Sequence, residues 1–388
     1  MGKTFFLFLL SYAVNLYSQP SIAWEKTLPD ESPYNPVKCM IATQDGGCLI
    51  LTVYGDLKKL SANGNLEWHK AFGDDAFHTK DIHQTADGGY FFIGTRRSVI
   101  DSNNNHDLVA ASKAWTYNLD KTGSIKSWKP VGTVSWAKSI VRPLKDGSYL
   151  LLRNDDTLLV ANNSNYKVAF GSLRKIDKAG NIIWSKTYLD ESESYETLNL
   201  AMNPDGGAII ISRSLNIEKG VREKYIRRLF LITIDSLGNV VRKAKTAPIE
   251  PGNKVRHCIA TSDGGFAAAG VVQNDAFIWK LNPDATFQWR KTWNDPNAAE
   301  CTDIIETADH TLIAAGFQVA KLKPITLKAI LFSYNLNGDL IWKCQFERKS
   351  TTQFLKIIEA VNGGLITGGM EFKLPTDHYG PVWITRFK

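Results

Sequence analysis

The stretch Lys175-Ile176-Asp177-Lys178-Ala179-Gly180-Asn181-Ile182-Ile183-Trp184-Ser185-Lys186 decides the fold, because variants of it recur along the chain. Close copies begin at Asn63 and Asn337, and each places a Gly-Asn or Gly-Asp pair just before a strand-like run with a tryptophan. Such pairs favour tight hairpin turns, because glycine adopts a positive φ without a Cβ clash. The stretch therefore predicts two antiparallel strands joined by a tight turn.

A second recurring phrase, an Asp-Gly-Gly turn or a degenerate copy of it, alternates with the first. Its first residues are Asp45, Asp87, Asp146, Asp205, Asp263, Asp309 and Asn362. Each copy precedes a short apolar run without alternation, which predicts a strand buried on both faces. Each repeat of about 50 residues is therefore predicted to be a four-stranded antiparallel meander, the size of a propeller blade.

The order of the two phrases predicts how the ring closes. The tryptophan positions are Trp24, Trp68, Trp128, Trp184, Trp289 and Trp342, with Arg242 in the seventh. The first of these precedes every Asp-Gly-Gly turn, and the last turn has no tryptophan strand after it. We therefore predict an all-β, seven-bladed β-propeller without helices, in which residues 22–28 complete the last blade as its outer strand. The tryptophan rings are expected to cover the seams between blades.

The N-terminus and the composition limit the compartment and the partners. Residues 1–18 resemble a secretory signal peptide, with Lys3 before an apolar run that is too short to span a bilayer. We predict an exported protein, secreted or periplasmic, with no transmembrane segment and with residues 19–388 forming one propeller domain. The net charge of +7 over 388 residues is too mild to favour nucleic-acid binding, and we expect a monomer.

The five cysteines have no metal-ligand spacing. They are Cys39, Cys48, Cys258, Cys301 and Cys344. The exported compartment permits disulfides, but a core of this size does not require them. We expect buried free thiols.

The repeats resemble those of secreted bacterial β-propellers of the quinoprotein-like group. Those repeats carry an Asp…Gly…Trp phrase on the last two strands of each blade, and residues 177–184 and 120–128 are its nearest matches. The resemblance implies the propeller fold. The group includes eight-bladed quinone-dependent dehydrogenases, which use adjacent cysteines and an axial calcium, and non-enzymatic assembly scaffolds. This chain has no adjacent cysteines and seven repeats, so the resemblance favours the non-enzymatic type.

Arginines in the insertions between second and third strands are the candidate ligand-binding residues. These insertions share one face of the predicted propeller, where function usually sits. A cationic insertion in blade 4 and two arginines in blade 2 predict a positive rim for an anionic partner, with a solvated charged hairpin as the alternative. In blade 3 we expect the strand to bend early, which places an arginine in the loop; the alternative is that this arginine points to the channel mouth. The candidates are Arg96, Arg97, Arg153, Arg222, Arg227 and Arg228.

The blade 2 insertion also contains a candidate calcium site. Oxygen-bearing side chains alternate at Asp101, Asn103, Asn105 and Asp107, and calcium takes about 6–8 oxygen ligands. The loop lacks the glycine and the distal glutamate of an EF-hand, so a plain polar loop is the alternative.

No catalytic signature such as a nucleophile elbow or a phosphate-binding loop is present. The first hypothesis is a secreted binding or scaffold module that presents long loops to a protein or glycan partner without a cofactor. The alternative is a cofactor- or metal-dependent enzyme, a sugar or alcohol oxidoreductase or a lyase, with its site at the axial mouth. Convergent carboxylate, histidine and arginine side chains on the axis would favour the enzyme.

Overall fold

A computed structural model describes most of the chain after residue 18. The described residues are 19–28, 35–72, 81–96, 112–134, 139–161, 164–188, 194–203, 206–218, 224–249, 252–293, 297–322, 325–346, 348, 350–372 and 380–388. For some strand ends only the backbone is described, at residues 95–96, 112–114, 131–134, 139, 153–161, 164–171, 194–197, 214–218, 224–227 and 322. The predicted signal peptide lies outside these ranges.

The described residues form strands joined by turns, with no helix among them. The first strand and blades 1 to 3 contain β1 (Ile22–Leu28), β2 (Val37–Ala42), β3 (Cys48–Thr52), β4 (Asp56–Leu60), β5 (Leu66–Ala71), β6 (Ile82–Gln84), β7 (Tyr90–Arg96), β8 (Ser112–Leu119), β9 (Ile125–Val134), β10 (Ser139–Pro143), β11 (Tyr149–Ala161), β12 (Ser164–Ile176) and β13 (Ile182–Thr187). Blades 4 to 7 contain β14 (Ser194–Met202), β15 (Ala208–Glu218), β16 (Lys224–Ile234), β17 (Val240–Lys245), β18 (Lys254–Ala260), β19 (Phe266–Val272), β20 (Asp275–Leu281), β21 (Phe287–Trp293), β22 (Ala299–Glu306), β23 (Leu312–Leu322), β24 (Ile325–Tyr334), β25 (Leu340–Phe346), β26 (Thr351–Glu359), β27 (Leu365–Phe372) and β28 (Val382–Phe387).

These strands form seven four-stranded antiparallel sheets, which confirms the predicted seven-bladed propeller. Six sheets are consecutive meanders, from β2-β3-β4-β5 to β22-β23-β24-β25. The residue after each turn Asp or Asn has a positive φ, including His310 at 63°, where glycine is absent. The Asp-Gly-Gly turns and their degenerate copies therefore join the first two strands of each blade.

The seventh sheet has the order β1-β28-β27-β26, so the first strand of the chain completes the last blade. Six residue pairs join β1 to β28, from Ile22↔Phe387 to Leu28↔Val382. The amide of Lys388 also donates to the carbonyl of Ser21 at 2.9 Å. The predicted closure is confirmed.

Tryptophans on outer strands seal the seams between blades, as predicted. The ring of Trp24 in blade 7 lies against Gly64 of blade 1, and its Nε1 donates to the carbonyl of Ala62 at 2.9 Å. Trp289 of blade 5 covers Gly338 of blade 6 in the same way. Glycine is needed at these turns because its φ is positive and a Cβ would strike the indole. The glycine of one copy of the recurring phrase thus packs against the tryptophan of the copy in the preceding blade.

The prediction that the outer-strand tryptophans cover the seams was wrong for Trp128. In blade 1, Trp68 pairs with Lys59, and the equivalent pair in blade 2 is Ser127 with Asn118. Trp128 lies one residue later and therefore on the other face of its strand, because side chains alternate. It is 50% exposed and contacts Trp115, with ring centroids 4.8 Å apart. A serine thus occupies the seam position between blades 2 and 3.

Three of the insertions are extensions of the sheet. Strands β11 and β12 continue as one paired ladder from Tyr149↔Ile176 to Ala161↔Ser164. Arg153 pairs with Ser172 inside this ladder, so the early bend predicted in blade 3 is wrong. Strands β15–β16 and β23–β24 extend in the same way. The propeller therefore carries long hairpins on the face where the innermost strands begin.

The five cysteines are free thiols, and four of them are buried, as expected. Among the described residues there is no helix long and apolar enough to cross a membrane.

Candidate functional site

The innermost strands surround an axial channel and place one side chain from almost every blade in it. The position six residues before each turn residue holds Cys39, Asp81, Ile140, Asn199, His257, Asp303 and Lys356. The register of the innermost strand shifts just before this position in blades 1, 4, 5, 6 and 7. A β-bulge bends the strand and redirects a side chain. The repeat itself thus aims these side chains at the axis.

Six of the channel residues form a continuous chain of polar contacts through blades 2 to 7. We call it the axial polar chain, and its members are Asp81, Arg142, Asn199, His257, Asp303 and Lys356. In blade 3 the arginine takes part from a position two residues after Ile140. Each member touches the next, so the chain is a single network and not a set of separate pairs.

The first half of the chain is built on Asp81 and Arg142. A guanidinium nitrogen of Arg142 donates to the Asp81 carboxylate, and the other terminal nitrogen donates to Asn199 Oδ1 at 2.9 Å. His83 Nε2 lies 3.5 Å from the same carboxylate. Burial alone would raise the pKa of Asp81, but Arg142 and His83 hold that pKa at about 2. The carboxylate is therefore charged at neutral pH and fixes the direction of Arg142.

The second half is built on Asp303. His257 Nδ1 lies 2.6 Å and Lys356 Nζ 3.5 Å from Asp303 Oδ1, while the amide of Ile357 donates to the other oxygen at 3.0 Å. The His257 contact brings the two groups together without the alignment of a hydrogen bond. Burial alone would raise the pKa of Asp303, but Lys356 and His257 hold it at about 2. Asn199 Nδ2 lies 3.2 Å from His257 Nε2 and connects the two halves.

Blade 1 contributes Lys38 and Cys39 to the channel. Desolvation lowers the pKa of Lys38 to about 8, although its side chain is partly exposed, and Lys38 forms no ion pair with a described residue. Burial raises the pKa of Cys39 to about 12, which excludes a reactive thiolate because the thiolate is the nucleophilic form. Lys38 is therefore a cation available to a ligand, and Cys39 is not a nucleophile.

The channel cavity has a volume of about 430 Å³ and an excess of positive charge. Its described lining carries the cations Lys38, Arg142, Arg256 and Lys356, against the carboxylates Asp81 and Asp303. Arg256 also pairs with Glu300 at 2.5 Å. With Glu300 included, four cations face three carboxylates, and a cleft with surplus cations attracts an anion.

The candidates from the sequence lie elsewhere. Arg96, Arg153 and Arg227 are strand residues whose backbone alone is described. Arg228 is half-buried, and its guanidinium donates to the carbonyl of Thr246 at 3.3 Å. Residues 97 and 222 and the candidate calcium ligands at 101, 103, 105 and 107 lie outside the described residues, so those sites stay predictions. No group of three possible metal ligands occurs among the described residues.

The axial polar chain was missed by sequence reasoning, although a signal was present. Counting back six residues from each turn residue gives a polar or charged side chain in five of the seven blades. The residue type at this position differs from blade to blade, so a search for residues that recur in every repeat does not detect it.

Comparisons with known proteins agree on the fold. No family model matches the chain, and no curated protein matches it. Among solved structures, an ulvan lyase of the polysaccharide lyases, bound to a GlcA(1-4)Rha3S saccharide, is 9% identical, with a TM-score of 0.58, and the match covers 92% of this chain and 95% of that one. The structure of YCF48 bound to D1 peptide is 12% identical, with a TM-score of 0.54 and coverage of 94% and 96%. The Dos1 propeller is 11% identical, with a TM-score of 0.53 and coverage of 91% and 78%.

Proposed function

We propose that this protein is an exported binding module that takes an acidic saccharide unit into its axial channel. The observation that carries the proposal is the surplus of cations around a cavity of about 430 Å³. Lys38 supplies an ammonium group with no described counter-ion, and Lys356 reaches the channel beside Asp303. Carboxylates and sulfates bind such groups through charge-assisted hydrogen bonds.

The axial polar chain gives this channel its rigidity. Arg142 is held by a hydrogen bond to the buried Asp81 carboxylate, so its direction is set before a ligand arrives. His257 Nδ1 lies 2.6 Å from the buried Asp303 carboxylate. A preorganised site loses less conformational freedom on binding. The long hairpins flank the channel, and we propose that they contact the rest of the glycan or a protein that carries it. Arg96, Arg97, Arg153, Arg222, Arg227 and Arg228 remain candidate contacts on those hairpins and insertions.

Calorimetric titration with oligogalacturonate, neutral dextran and poly-glutamate tests the proposal. We expect Lys38→Gln and Lys356→Gln each to weaken oligogalacturonate binding by about tenfold, since a hydrogen bond to a charged group contributes about 1.5–3 kcal/mol. Lys70→Gln on an outer strand is the matched control and should bind as the parent does. Unchanged affinity in both channel variants, or equal affinity for dextran, would reject the channel as the site. Preference for poly-glutamate would point to an acidic protein instead.

A lyase is the second candidate function, favoured by the contact between His257 and Asp303. Elimination at a uronate removes the C5 proton, breaks the C4–O glycosidic bond and forms a C4–C5 double bond. It needs groups that neutralise the carboxylate, a base that takes the proton, and a proton from water or a side chain for the departing oxygen. Arg256 and Lys38 fit the first role, and His257, positioned by Asp303, fits the second. If this is right, the protein generates ultraviolet-absorbing unsaturated uronate, and His257→Gln abolishes the product while retaining oligogalacturonate binding. Absence of product at stoichiometric protein would leave binding alone.

A further inference from the structure

In blades 1 and 5, a lysine of the third strand pairs with the turn carboxylate of its own blade. Lys59 Nζ lies 2.7 Å from Asp45, and Lys280 Nζ lies 2.8 Å from Asp263. Each ammonium group also donates to the carbonyl of the next residue, at 2.9 Å and 3.3 Å. Both lysines are almost completely buried. The repeat therefore contains a position, between the turn and the third strand, that holds a primary ammonium group.

The same position exists in blade 3, where a serine replaces the second turn glycine. Ser148 donates to one oxygen of the Asp146 carboxylate, and Lys175 Nζ pairs with the other oxygen at 2.9 Å. A hydroxyl residue beside the turn carboxylate is therefore compatible with an ammonium group. In blade 6 the position of this serine holds Thr311, which likewise offers a hydroxyl to the turn carboxylate.

Blade 6 keeps the turn carboxylate but has a serine in place of the lysine. Ser333 on β24 pairs with Trp342 on β25, as each of the three lysines pairs with the tryptophan of its own blade. Asp309 Oδ1 accepts from the Thr307 hydroxyl at 2.5 Å and from the Thr311 amide at 3.3 Å. These hydrogen bonds, the Thr307 bond most of all, lower the pKa of Asp309. Its carboxylate is therefore charged at neutral pH, and no basic side chain of the described residues pairs with it.

A cavity of about 210 Å³ lies at this point, in the seam between blades 6 and 7. Its lining includes Asp309, Ser333 and Glu359. Ser333 is fully buried, and its hydroxyl has no hydrogen-bond partner among the described residues. Buried polar groups normally have a partner, because burial removes their bonds to water. In the described lining two carboxylates face one basic residue, Lys388, so the cavity favours a cation that can donate to Ser333.

The rest of the lining suits a short hydrocarbon chain. Ile313, Trp342 and Leu365 line the same cavity, and a lysine-like chain places its methylene groups on apolar surface while the ammonium group stays in polar surroundings. A tryptophan ring also attracts a cation. A calcium ion needs about 6–8 oxygen ligands, whereas no group of three possible metal ligands occurs among the residues that the structure describes. The cavity therefore fits an alkylammonium group better than a metal ion.

We infer that the seam between blades 6 and 7 binds the primary ammonium group of a short, unbranched alkyl chain, supplied by a free alkylamine or by a lysine side chain of a partner. The ammonium group takes the position that Lys59 and Lys280 fill in their own blades, pairs with Asp309 and donates to the Ser333 hydroxyl. At about 210 Å³ the cavity is smaller than the pockets of about 300–1,000 Å³ that hold drug-sized molecules, so it takes only the end of such a chain. This site is separate from the axial channel, so either one can fail without the other.

Titration of the full chain with n-butylammonium chloride, followed by saturation-transfer NMR, tests the inference. We expect millimolar binding to the parent and a loss of about tenfold or more in Asp309→Asn, which removes a charged partner. This variant should fold, because Asn362 holds the same turn position in blade 7. Asp284→Asn is the matched control: Asp284 also accepts from the amide and hydroxyl of the threonine two residues later, but it lies outside this cavity.

A second probe, Nα-acetyl-lysine-N-methylamide, distinguishes the two sources of the ammonium group. Tighter binding of this probe than of n-butylammonium would assign the ligand to a polypeptide, and weaker binding would assign it to a free amine. Replacement of Ser333 gives an independent test, because Ser333→Lys supplies its own ammonium group. Ser333→Lys should abolish binding of n-butylammonium and should melt at a higher temperature than Ser333→Met, whose chain has a similar length without the charge.

Four results would overturn the inference. They are no binding to the parent at millimolar probe, undiminished binding to Asp309→Asn, undiminished binding to a folded Ser333→Lys, and full displacement of the probe by equimolar potassium chloride. The last result would show a site for inorganic cations. If Ser333→Lys does not fold by circular dichroism, the comparison of Asp309→Asn with Asp284→Asn decides the question alone.

Discussion

At the scale of single residues, glycine and tryptophan fix each other's positions across the blade seams. Gly64 has a φ of +77°, and a Cβ there would lie 2.7 Å from the Trp24 ring. Gly88 has nearly the same φ, +79°, but nothing within 4 Å of its Cβ position. Both glycines have a positive φ, but only Gly64 packs against a ring. A comparison of the two therefore separates the cost of the backbone conformation from the cost of the packing.

Alanine at these two glycines should therefore have different costs. Both Gly64→Ala and Gly88→Ala place a Cβ in left-handed backbone, at about 1–2 kcal/mol. Gly64→Ala should lose about 1–3 kcal/mol more, because the new methyl group overpacks the indole. Urea unfolding of the two variants measures the difference. Equal costs would show that the ring moves aside freely and does not seal the seam.

The stabilisation that Asp303 contributes to the fold depends on pH. Its pKa in the folded protein is about 2, below the usual value of 3.8, so its ionised form stabilises the fold. That stabilisation is fully present above about pH 4 and is lost as the pH falls towards 2. Asp303→Asn should lower stability by about 3 kcal/mol at pH 7, and the gap from the parent should narrow below pH 4. The exposed Asp339→Asn is the control, and a gap that stays constant down to pH 3 would contradict the assignment.

At the scale of elements, strand β1 holds the ring closed through its pairing with β28 and through Trp24. Trp24→Ala should lower the free energy of unfolding by about 3 kcal/mol, because it empties the seam between the last and first blades. Trp128→Ala removes the same side chain from an exposed position and should change stability by about 0.5 kcal/mol. Deletion of residues 19–28 should lower the melting temperature further. Melting of the deletion variant at the parental temperature would refute the closure.

Element positions were predictable from the sequence because the turns demand particular residues. Asp-Gly and Asn-Gly pairs allow few backbone conformations, so they locate hairpins in a single sequence. Trp128 was misplaced by one residue, because spacing from a turn does not show which strand face a side chain takes. The length of β11 and β12 was missed, because a polar extended hairpin resembles a loop in composition.

The site was less predictable than the fold for a different physical reason. Packing between blades requires similar residues at equivalent positions of every blade. These positions can be recognised because the repeats resemble one another there. The channel instead uses Asp81, Asn199, His257 and Lys356 at equivalent positions, and such differences carry no repeat signal. Their contacts cross from blade to blade, so they become visible only when the ring is closed.

At the scale of the whole molecule, the propeller brings seven innermost strands to one axis, where their unlike side chains form a cationic cavity. Lys38 lines this cavity, and its charge can be varied near neutral pH because desolvation lowers its pKa to about 8. Its ammonium form should bind an acidic saccharide, and its neutral amine should not.

The most direct test is the dissociation constant for oligogalacturonate as a function of pH, measured by calorimetry on the parent and on Lys38→Gln. In the parent, binding should weaken as the pH rises from 7 to 9, since the ammonium group loses its proton with a pKa of about 8. In Lys38→Gln, binding should be weaker at pH 7 and nearly constant over the same range. Identical pH profiles for the two proteins, or no binding by the parent at pH 7, would contradict the assignment of the axial channel as the binding site.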